Sequence, residues 1–375
     1  MILQVLYEFF WMHGRFKRIN CLRKLFVPKH CSILGIDITS ASVKILEISG
    51  NAKALCVENY GREVLPPYAL DGTVIKDVDV IASSIRTLFN RLQTNCKQVV
   101  LAVPDAAIIS KIVHINAGLS DEDMEELVVI EADKYIPYPI DEINLDFEVL
   151  GHSEKNRSLL EVLLVASRAE NVNSRVEAVT RAGLDVLVVD VESFAVARAA
   201  QQLAKELPAA GQNKTIAIID IGVNYTNLFV LHGMKLIYSR DENFGGMQLV
   251  EAISRHYQMT IEQAILAKEQ GTLPADYEAQ VLAPFKENIL VQIKRTLHFF
   301  YSTSQEDEVD HILLAGGLAR LPGLVGLIQE QLGVATTVAN PFSNMSFGTN
   351  TPLDFLNHDA PSLMVACGLA LRNIE

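Results

Sequence analysis

The sequence has 375 residues, 49% of them hydrophobic and 21% charged, enough to build sizeable cores and too apolar for a disordered chain. A net charge of −13 argues against non-specific nucleic-acid binding, which needs basic surface, and no run of 18 apolar residues exists to span a membrane. Five scattered cysteines (Cys21, Cys31, Cys56, Cys96, Cys367), odd in number and without CxxC spacing, form neither a disulfide framework nor a zinc site and suit a reducing cytosol.

Charge is unevenly spread. Residues 1–31 carry six Lys or Arg against one Glu, a net +5, which leaves −18 for the remainder. Met1–Met12 is apolar and aromatic and Arg15–Lys29 basic, the reverse of a signal peptide's order. This segment reads as a poorly ordered or amphipathic extension, with Leu22–Phe26 able to touch an anionic lipid surface.

Ile33–Ile38 and Val43–Ile48 are short apolar runs around a polar tip, Thr39-Ser40-Ala41-Ser42, and predict a β-hairpin. Asp37 is the exception in it, because a carboxylate in a buried strand needs a partner. One reading is an ordinary hairpin with a hydroxyl-rich turn. The other is a phosphate turn, with Asp37 on a magnesium ion and Thr39, Ser40, Ser42, Lys44 and the turn's backbone N–H groups on phosphate oxygens. A third strand follows at Ala54–Val64, a turn at Pro66-Pro67, a helix over Asp77–Asn95 with Val80, Ile81, Ile85, Leu88, Phe89 and Leu92 on one face, and a buried strand at Val99–Val103.

The pattern then changes. Ile108–Ile115 predicts a strand, and Ser120 caps an acid-rich helix running to about Tyr135, stopped by Ile136-Pro137-Tyr138-Pro139. Leu145–Leu150 and Ser158–Ala166 predict a strand pair, and Ala169–Ala182 a helix closed by Gly183. Residues 107–186 are therefore expected to form an inserted subdomain. Leu184–Val191 is a strand and Ser193–Leu207 a helix; Pro208–Asn213 reads as a linker.

The opening pattern then returns. Ile216–Leu231 is again strand, Asp (Asp220), small polar turn (Gly222, Asn224, Thr226) and strand, followed by a strand at Lys235–Arg240. A repeat half a chain apart points to two related lobes. Gly245-Gly246 opens a helix to Tyr257. Further helices are predicted at Ile261–Gln270, Tyr277–Ser302, from Pro322-Gly323 to Leu332, and at Leu363–Leu371; Asp310–Ala315 is a buried strand running into Gly316-Gly317.

Gly35–Ser42, Asp190-Val191-Glu192-Ser193, Asp220–Thr226, Leu313–Gly323 and Ala366–Ala370, in that order, resemble the five nucleotide-site motifs of the actin-like ATPases, the superfamily of actin, sugar kinases and Hsp-type chaperones. Within it the chain is most similar to the PilM family of type IV pilus assembly proteins, on Leu34–Lys44, Glu131–Pro139, Val189–Glu192, Asn243–Gly246 and Ile293–Tyr301. The early insertion is shared with the division protein FtsA, whose relatives end in an amphipathic membrane helix; this chain stops four residues after Leu371, which favours PilM.

The resemblance implies an α/β, two-lobed actin-like fold of duplicated ribonuclease-H-like domains with an FtsA-type inserted subdomain. It places the first lobe at 32–106, with 187–212 and 340–375 returning to it, the insertion at 107–186, and the second lobe at 213–339 including a helical subdomain at 241–303. It implies ATP and magnesium, with Asp37 and Asp220 holding the metal through water. The phosphate turns, Gly245, Gly246, Gly316 and Gly317 would surround the nucleotide, with Lys294, Arg295 and His298 beside ribose and adenine. Glu192 could orient an attacking water, though nucleotide binding is expected more than fast turnover. It also implies a cytoplasmic scaffold at the inner membrane. Its partners would be the N-terminal peptide of PilN, in a groove including Tyr135, Ile136, Pro137 and Tyr138, and other pilus inner-membrane assembly proteins. Its membrane contact would be indirect, helped by residues 1–31. Two alternatives stand beside it: an FtsA-like filament-forming division protein, and an actin-fold small-molecule kinase.

Overall fold

The opening hairpin forms where its β-branched runs place it. In the computed structural model β1 (Ile33–Ile38) and β2 (Ser42–Asn51) pair antiparallel, with Ile36 opposite Ile45 and Asp37 opposite Lys44. The structure describes residues 32–374 apart from 154, 305, 307, 350 and 373, so the expectation for residues 1–31 lies outside it.

Two compact units divide the described residues. The first holds residues through Lys53, Glu58–Glu192 and Leu369 onward; the second holds Ala54–Val57 and Ser193–Gly368. In the first, β3 (Ala54–Val64, its first four residues sorting with the second unit) follows β2, and a two-stranded ribbon, β4 (Leu70–Asp71) and β5 (Val74–Ile75), turns through Gly72-Thr73. Next comes α1 (Val78–Leu92), capped by Asp77, whose carboxylate accepts from the Val80 N–H at 3.0 Å. It buries Ile81, Ala82, Ile85 and Leu88, and packs so close to β3 that a Cβ on Gly61 would stand 2.7 Å from Leu88 Cδ1. β6 (Gln98–Val103) lies parallel to β1 and to the later β10 (Asp185–Val191).

Between β6 and β10 lies a separate antiparallel sheet, ordered β7 (Ile108–Asn116), β9 (Leu159–Arg168), β8 (Ile143–His152). Helix α2 (Asp121–Asp133) covers it with Met124, Val128 and Ala132 against Val113, Ile115, Val162 and Leu164. The Ser120 cap forms as its sequence indicates, its hydroxyl oxygen accepting from the Asp123 N–H at 3.2 Å. Helix α3 (Ala169–Arg181), expected inside the insertion, packs on α1 and β10 as well as on β9. The separate sheet therefore ends at Arg168, and α3 belongs equally to the parent sheet.

The second unit repeats the arrangement. β11 (Thr215–Ile221) and β12 (Thr226–His232) form the hairpin, β13 (Lys235–Glu242) extends it, and β14 (His311–Ala315) and β15 (Ala335–Val338) lie parallel to β11 on its other side. Numbered by occurrence, the first five strands of the six-stranded sheet and the five of the other share one order, fifth-fourth-first-second-third. That common topology is the duplication the repeated Asp hairpins announce. Helices α5 (Gly246–Tyr257), α6 (Ile261–Gln270), α7 (Ala283–Thr303) and α8 (Leu324–Leu332) complete this unit's core, with a π-type turn at Glu278–Leu282 where the sequence suggested unbroken α-helix.

Residues 193–212 and 340–368, expected with the first lobe, sort with the second unit. Helix α4 (Glu192–Ala200) starts at the boundary and crosses the terminal helix α10 (Met364–Ala370), which follows the short α9 (Leu353–Asp359). The crossing is close enough that a Cβ on Gly368 would overlap the Ala195 carbonyl, and Arg198 Nη1 donates to the Gly368 carbonyl at 2.7 Å. Asn344 Nδ2 donates to the Gln202 carbonyl at 3.2 Å, and Ser343 Oγ to Glu206. The two stretches thus hold each other. A last strand, β16 (Ser346–Phe347), pairs parallel with Cys56 and Val57.

Candidate functional site

Asp37 ends β1 beside the turn. It is 4% exposed, and the partner it requires is Lys44, directly across the hairpin, with Nζ 2.9 Å from Asp37 Oδ2. In the turn, the Thr39 hydroxyl donates to the Ser42 carbonyl at 3.0 Å and accepts from the Ser42 N–H at 3.2 Å. Thr39 therefore closes its own turn, and Ser42 is buried beneath it. Ser40 is half-buried at the tip.

Two buried groups of the first unit, Asp190 and Arg175, were given no role of their own from sequence. Asp190, fully buried before Glu192, accepts from the Val191 N–H at 2.8 Å and from Arg372 Nη1 at 2.7 Å, fastening β10 to the chain's last turn. Arg175, on α3, is 2% exposed. Its Nη1 donates to the Asn171 carbonyl at 3.0 Å and its Nη2 to the Thr73 carbonyl at 2.8 Å. Burial pulls its guanidinium below the ordinary arginine range, and the charges of Glu192 and Asp37 oppose that pull. Its position among Asn171, Val172, Ala178 and Val179 on the buried stripe of α3 is the available sequence signal, since a charge on an apolar stripe needs partners.

In the second unit three sequence-distant motifs meet at Asp220. Gly316 follows β14 with φ +85°, in the left-handed region, and an added Cβ would overlap the Ile221 carbonyl and lie 2.5 Å from Asp220 Oδ1. The Leu318 N–H donates to the Ile221 carbonyl at 3.3 Å. The Gly246 N–H donates to the Gly222 carbonyl at 2.9 Å, and the Met247 N–H to the Val223 carbonyl at 2.8 Å, so the start of α5 is fastened to the turn that carries Asn224. Gly317 is exposed, with open space where a Cβ would stand. Thr226, expected on phosphate, is 7% exposed and donates its hydroxyl to the Phe244 carbonyl at 2.8 Å; it anchors the loop leading to Gly245.

On α7, Lys294, Arg295 and His298 share an exposed face. The Arg295 guanidinium lies 5.7 Å from the Phe299 ring centre, and that ring also carries Arg240 at 4.1 Å. Arg295 is thus partly engaged by cation–π contact.

Gly316 pressed against Asp220, with the open backbone of Gly317 beside it, is a surface a phosphate group can approach. Among the described residues no cluster of three or more His, Cys, Asp or Glu side chains is placed to hold a metal. This donor set fits magnesium, which keeps several waters and uses one or two carboxylates plus phosphate oxygens.

The first unit also holds a cavity of about 250 Å³. Ile136, Tyr138 and Ile143 line it from the separate sheet's side, Thr73 and Val74 from the β4–β5 ribbon, and Asn171 from α3. Arg168 stands 5.4 Å from the Tyr138 ring centre and 3.2 Å from Glu170, forming a charged rim. Tyr135 lies near Lys111 and is half-exposed. Of the four groove residues expected from sequence, Ile136 and Tyr138 line this cavity, whereas Tyr135 and Pro137 do not. The two-residue Gly72-Thr73 turn, with Gly72 at φ +60°, places Thr73 here.

The family model of the type IV pilus assembly protein PilM matches residues 35–374. The chain belongs to this family. A solved PilM-PilN type IV pilus biogenesis complex contains a chain 28% identical to it, with TM-score 0.77, covering 93% of this chain and all of that one. The ethanolamine utilization protein EutJ of Carboxydothermus hydrogenoformans shares the fold at TM-score 0.55 and 16% identity, over 90% of this chain and 88% of EutJ. Cell division protein FtsA of Bacillus subtilis is 22% identical over 357 residues, spanning 82% of this chain and 78% of FtsA. The fold is thus the actin-like one expected from the repeated hairpins.

Proposed function

We propose that this PilM-family chain is a nucleotide-binding scaffold of pilus assembly that receives the cytoplasmic N-terminal peptide of PilN in the cavity lined by Ile136 and Tyr138. The observation that carries the reading is that cavity of mixed polar and apolar lining, edged by Tyr138, in a chain whose fold matches a chain of a PilM-PilN complex at TM-score 0.77. An extended peptide gains affinity from main-chain hydrogen bonds and specificity from such pockets. The −18 charge outside residues 1–31 favours a basic juxtamembrane peptide.

Magnesium, when bound with ATP, supplies counter-charge for the phosphates. Asp37 and Asp220 are the carboxylates assigned to it. Lys44 orients Asp37, and Gly317, with open space where a Cβ would stand, lets a phosphate group come close to the backbone; the N–H groups of Gly222, Gly245, Gly246 and Gly316 are donated within the fold and shape the turn instead. Lys294 and His298 offer hydrogen bonds to the nucleoside, and Glu192 is the candidate to orient water. Slow or absent hydrolysis is compatible with this role. No helix among the described residues is long and apolar enough to cross a membrane. Placement at the cytoplasmic face of the inner membrane therefore comes through the partner, and other assembly proteins would join through it.

The test is a pulldown of the full chain on a synthetic PilN-type N-terminal peptide, with and without Mg-ATP. Retention is expected, and no retention in either condition overturns the docking reading.

A further inference from the structure

Two cavity-lining residues far apart in sequence, Thr73 and Asn171, are pinned by one guanidinium. Arg175 Nη2 donates to the Thr73 carbonyl at 2.8 Å and Nη1 to the Asn171 carbonyl at 3.0 Å. Both backbones are therefore fixed, Thr73 in the turn of the β4–β5 ribbon and Asn171 in the first turn of α3. Arg175 is itself 2% exposed, so water does not compete for this clamp.

The side chains of the pinned residues are in the opposite condition. Neither the Thr73 hydroxyl nor the Asn171 carboxamide has a hydrogen-bond partner among the described residues, although Asn171 is only 8% exposed. Ser167, Arg168 and Glu170, also on the lining, are engaged. Ser167 Oγ donates to the Ala107 carbonyl at 2.8 Å, and Arg168 and Glu170 pair at 3.2 Å. A polar group that has lost water without gaining a partner costs stability, and a ligand that supplies the partner recovers that cost.

An extended peptide entering the cavity meets the same demand, because its main-chain N–H and C=O groups also leave water. One carboxamide carries two donors and an acceptor in a plane, and so matches a main-chain N–H and C=O together. The Arg168–Glu170 pair leaves no net charge from those two residues, which favours a neutral main-chain group over a charged side chain.

We propose that Asn171, with Thr73 held to the same guanidinium, binds the main chain of the docked peptide and fixes its register in the cavity. The proposal deepens the docking reading above and rests on it.

The experiment titrates the full chain calorimetrically with the synthetic PilN-type peptide, and with a set of the same peptide in which one amide at a time is replaced by an ester. An ester lacks the N–H, offers a weaker acceptor and leaves the side chains alone. In the wild type one or two adjacent ester positions are expected to lose affinity about fivefold to tenfold. Asn171→Leu, close in volume, should weaken the parent peptide about tenfold and become indifferent to the ester at the position it reads. Thr73→Val should weaken it about threefold. Melting curves of both variants should stay in place, since neither side chain holds another part of the fold.

A wild type with no sensitive ester position overturns the main-chain contact and needs no variant to do so. Positions that stay equally sensitive in Asn171→Leu and Thr73→Val overturn the assignment to these residues. An Asn171→Leu chain that weakens every peptide by the same factor reports a change of cavity shape and overturns it too. Failure of the wild type to bind the parent peptide overturns the docking reading beneath, and this proposal falls with it.

Discussion

Lys44 Nζ lies 2.9 Å from Asp37 Oδ2, and the two residues face each other in register across the first hairpin. Both side chains are nearly out of water, at 10% and 3% exposure. Removing either partner of a buried pair strands the other charge and costs about 3–5 kcal/mol. Lys44→Met or Asp37→Leu should lower unfolding free energy by that amount in a denaturant titration. The double change to Leu at both positions should cost less than either single one, since no uncompensated charge remains.

Gly316 and Gly317 are adjacent but should behave differently. Gly316→Ala places a methyl on the Ile221 carbonyl and 2.5 Å from Asp220 Oδ1, at φ +85°. Its cost is expected at about 1–3 kcal/mol from backbone strain alone, with nucleotide affinity reduced more than about tenfold, or about 1.4 kcal/mol of binding. Gly317→Ala meets nothing within 4 Å and should leave stability within about 0.5 kcal/mol. Paired melts and nucleotide titrations check both.

The Asp190–Arg372 pair joins residues 182 positions apart, with Asp190 completely buried. Arg372→Met should destabilise the chain by about 3–5 kcal/mol. The measurement is chemical denaturation, with Arg372→Lys expected to recover part of the loss.

Glu148, on β8, has Oε1 buried without a hydrogen-bond partner among the described residues. Burial pushes its carboxyl above the ordinary range, Arg372 pulls it back and Asp146 adds to the rise. A raised folded value means the folded state takes up the proton more readily, so the ionised form costs stability at neutral pH. That cost is relieved as pH falls through the folded value. Glu148→Gln should therefore raise Tm at pH 7 on the order of 1–2 °C and flatten the stability gain on mild acidification, as read by melts between neutral and mildly acidic pH.

Ala106 lies exposed on the cavity lining. Ala106→Trp should fill it and weaken peptide binding more than about tenfold, while the melting curve stays in place. Calorimetric titration of the peptide checks this. Unchanged affinity would move the peptide elsewhere.

Hydrophobic periodicity and small-residue punctuation determined the strands of both hairpins, the capped helices α1 and α2, and the repeat that pairs Asp37 with Asp220. These are local properties, set by side-chain spacing of two or 3.6 and by turn chemistry. Short elements such as β4, β5, β15, β16 and α9 escaped, because two to seven residues carry too little periodic signal. The partners of charged residues escaped too. Asp37 announced in sequence that it needed a counter-charge, but only the register of β1 on β2 decided that Lys44 supplies it. Thr39 and Thr226 read as phosphate hydroxyls until the folded backbone claimed them. Arg175 is distinguished in sequence only as a charge on the buried stripe of α3, and Arg372 not at all, since their roles depend on carbonyls and carboxylates brought from up to 182 residues away. Burial creates that demand for partners, and only tertiary packing decides which groups meet it.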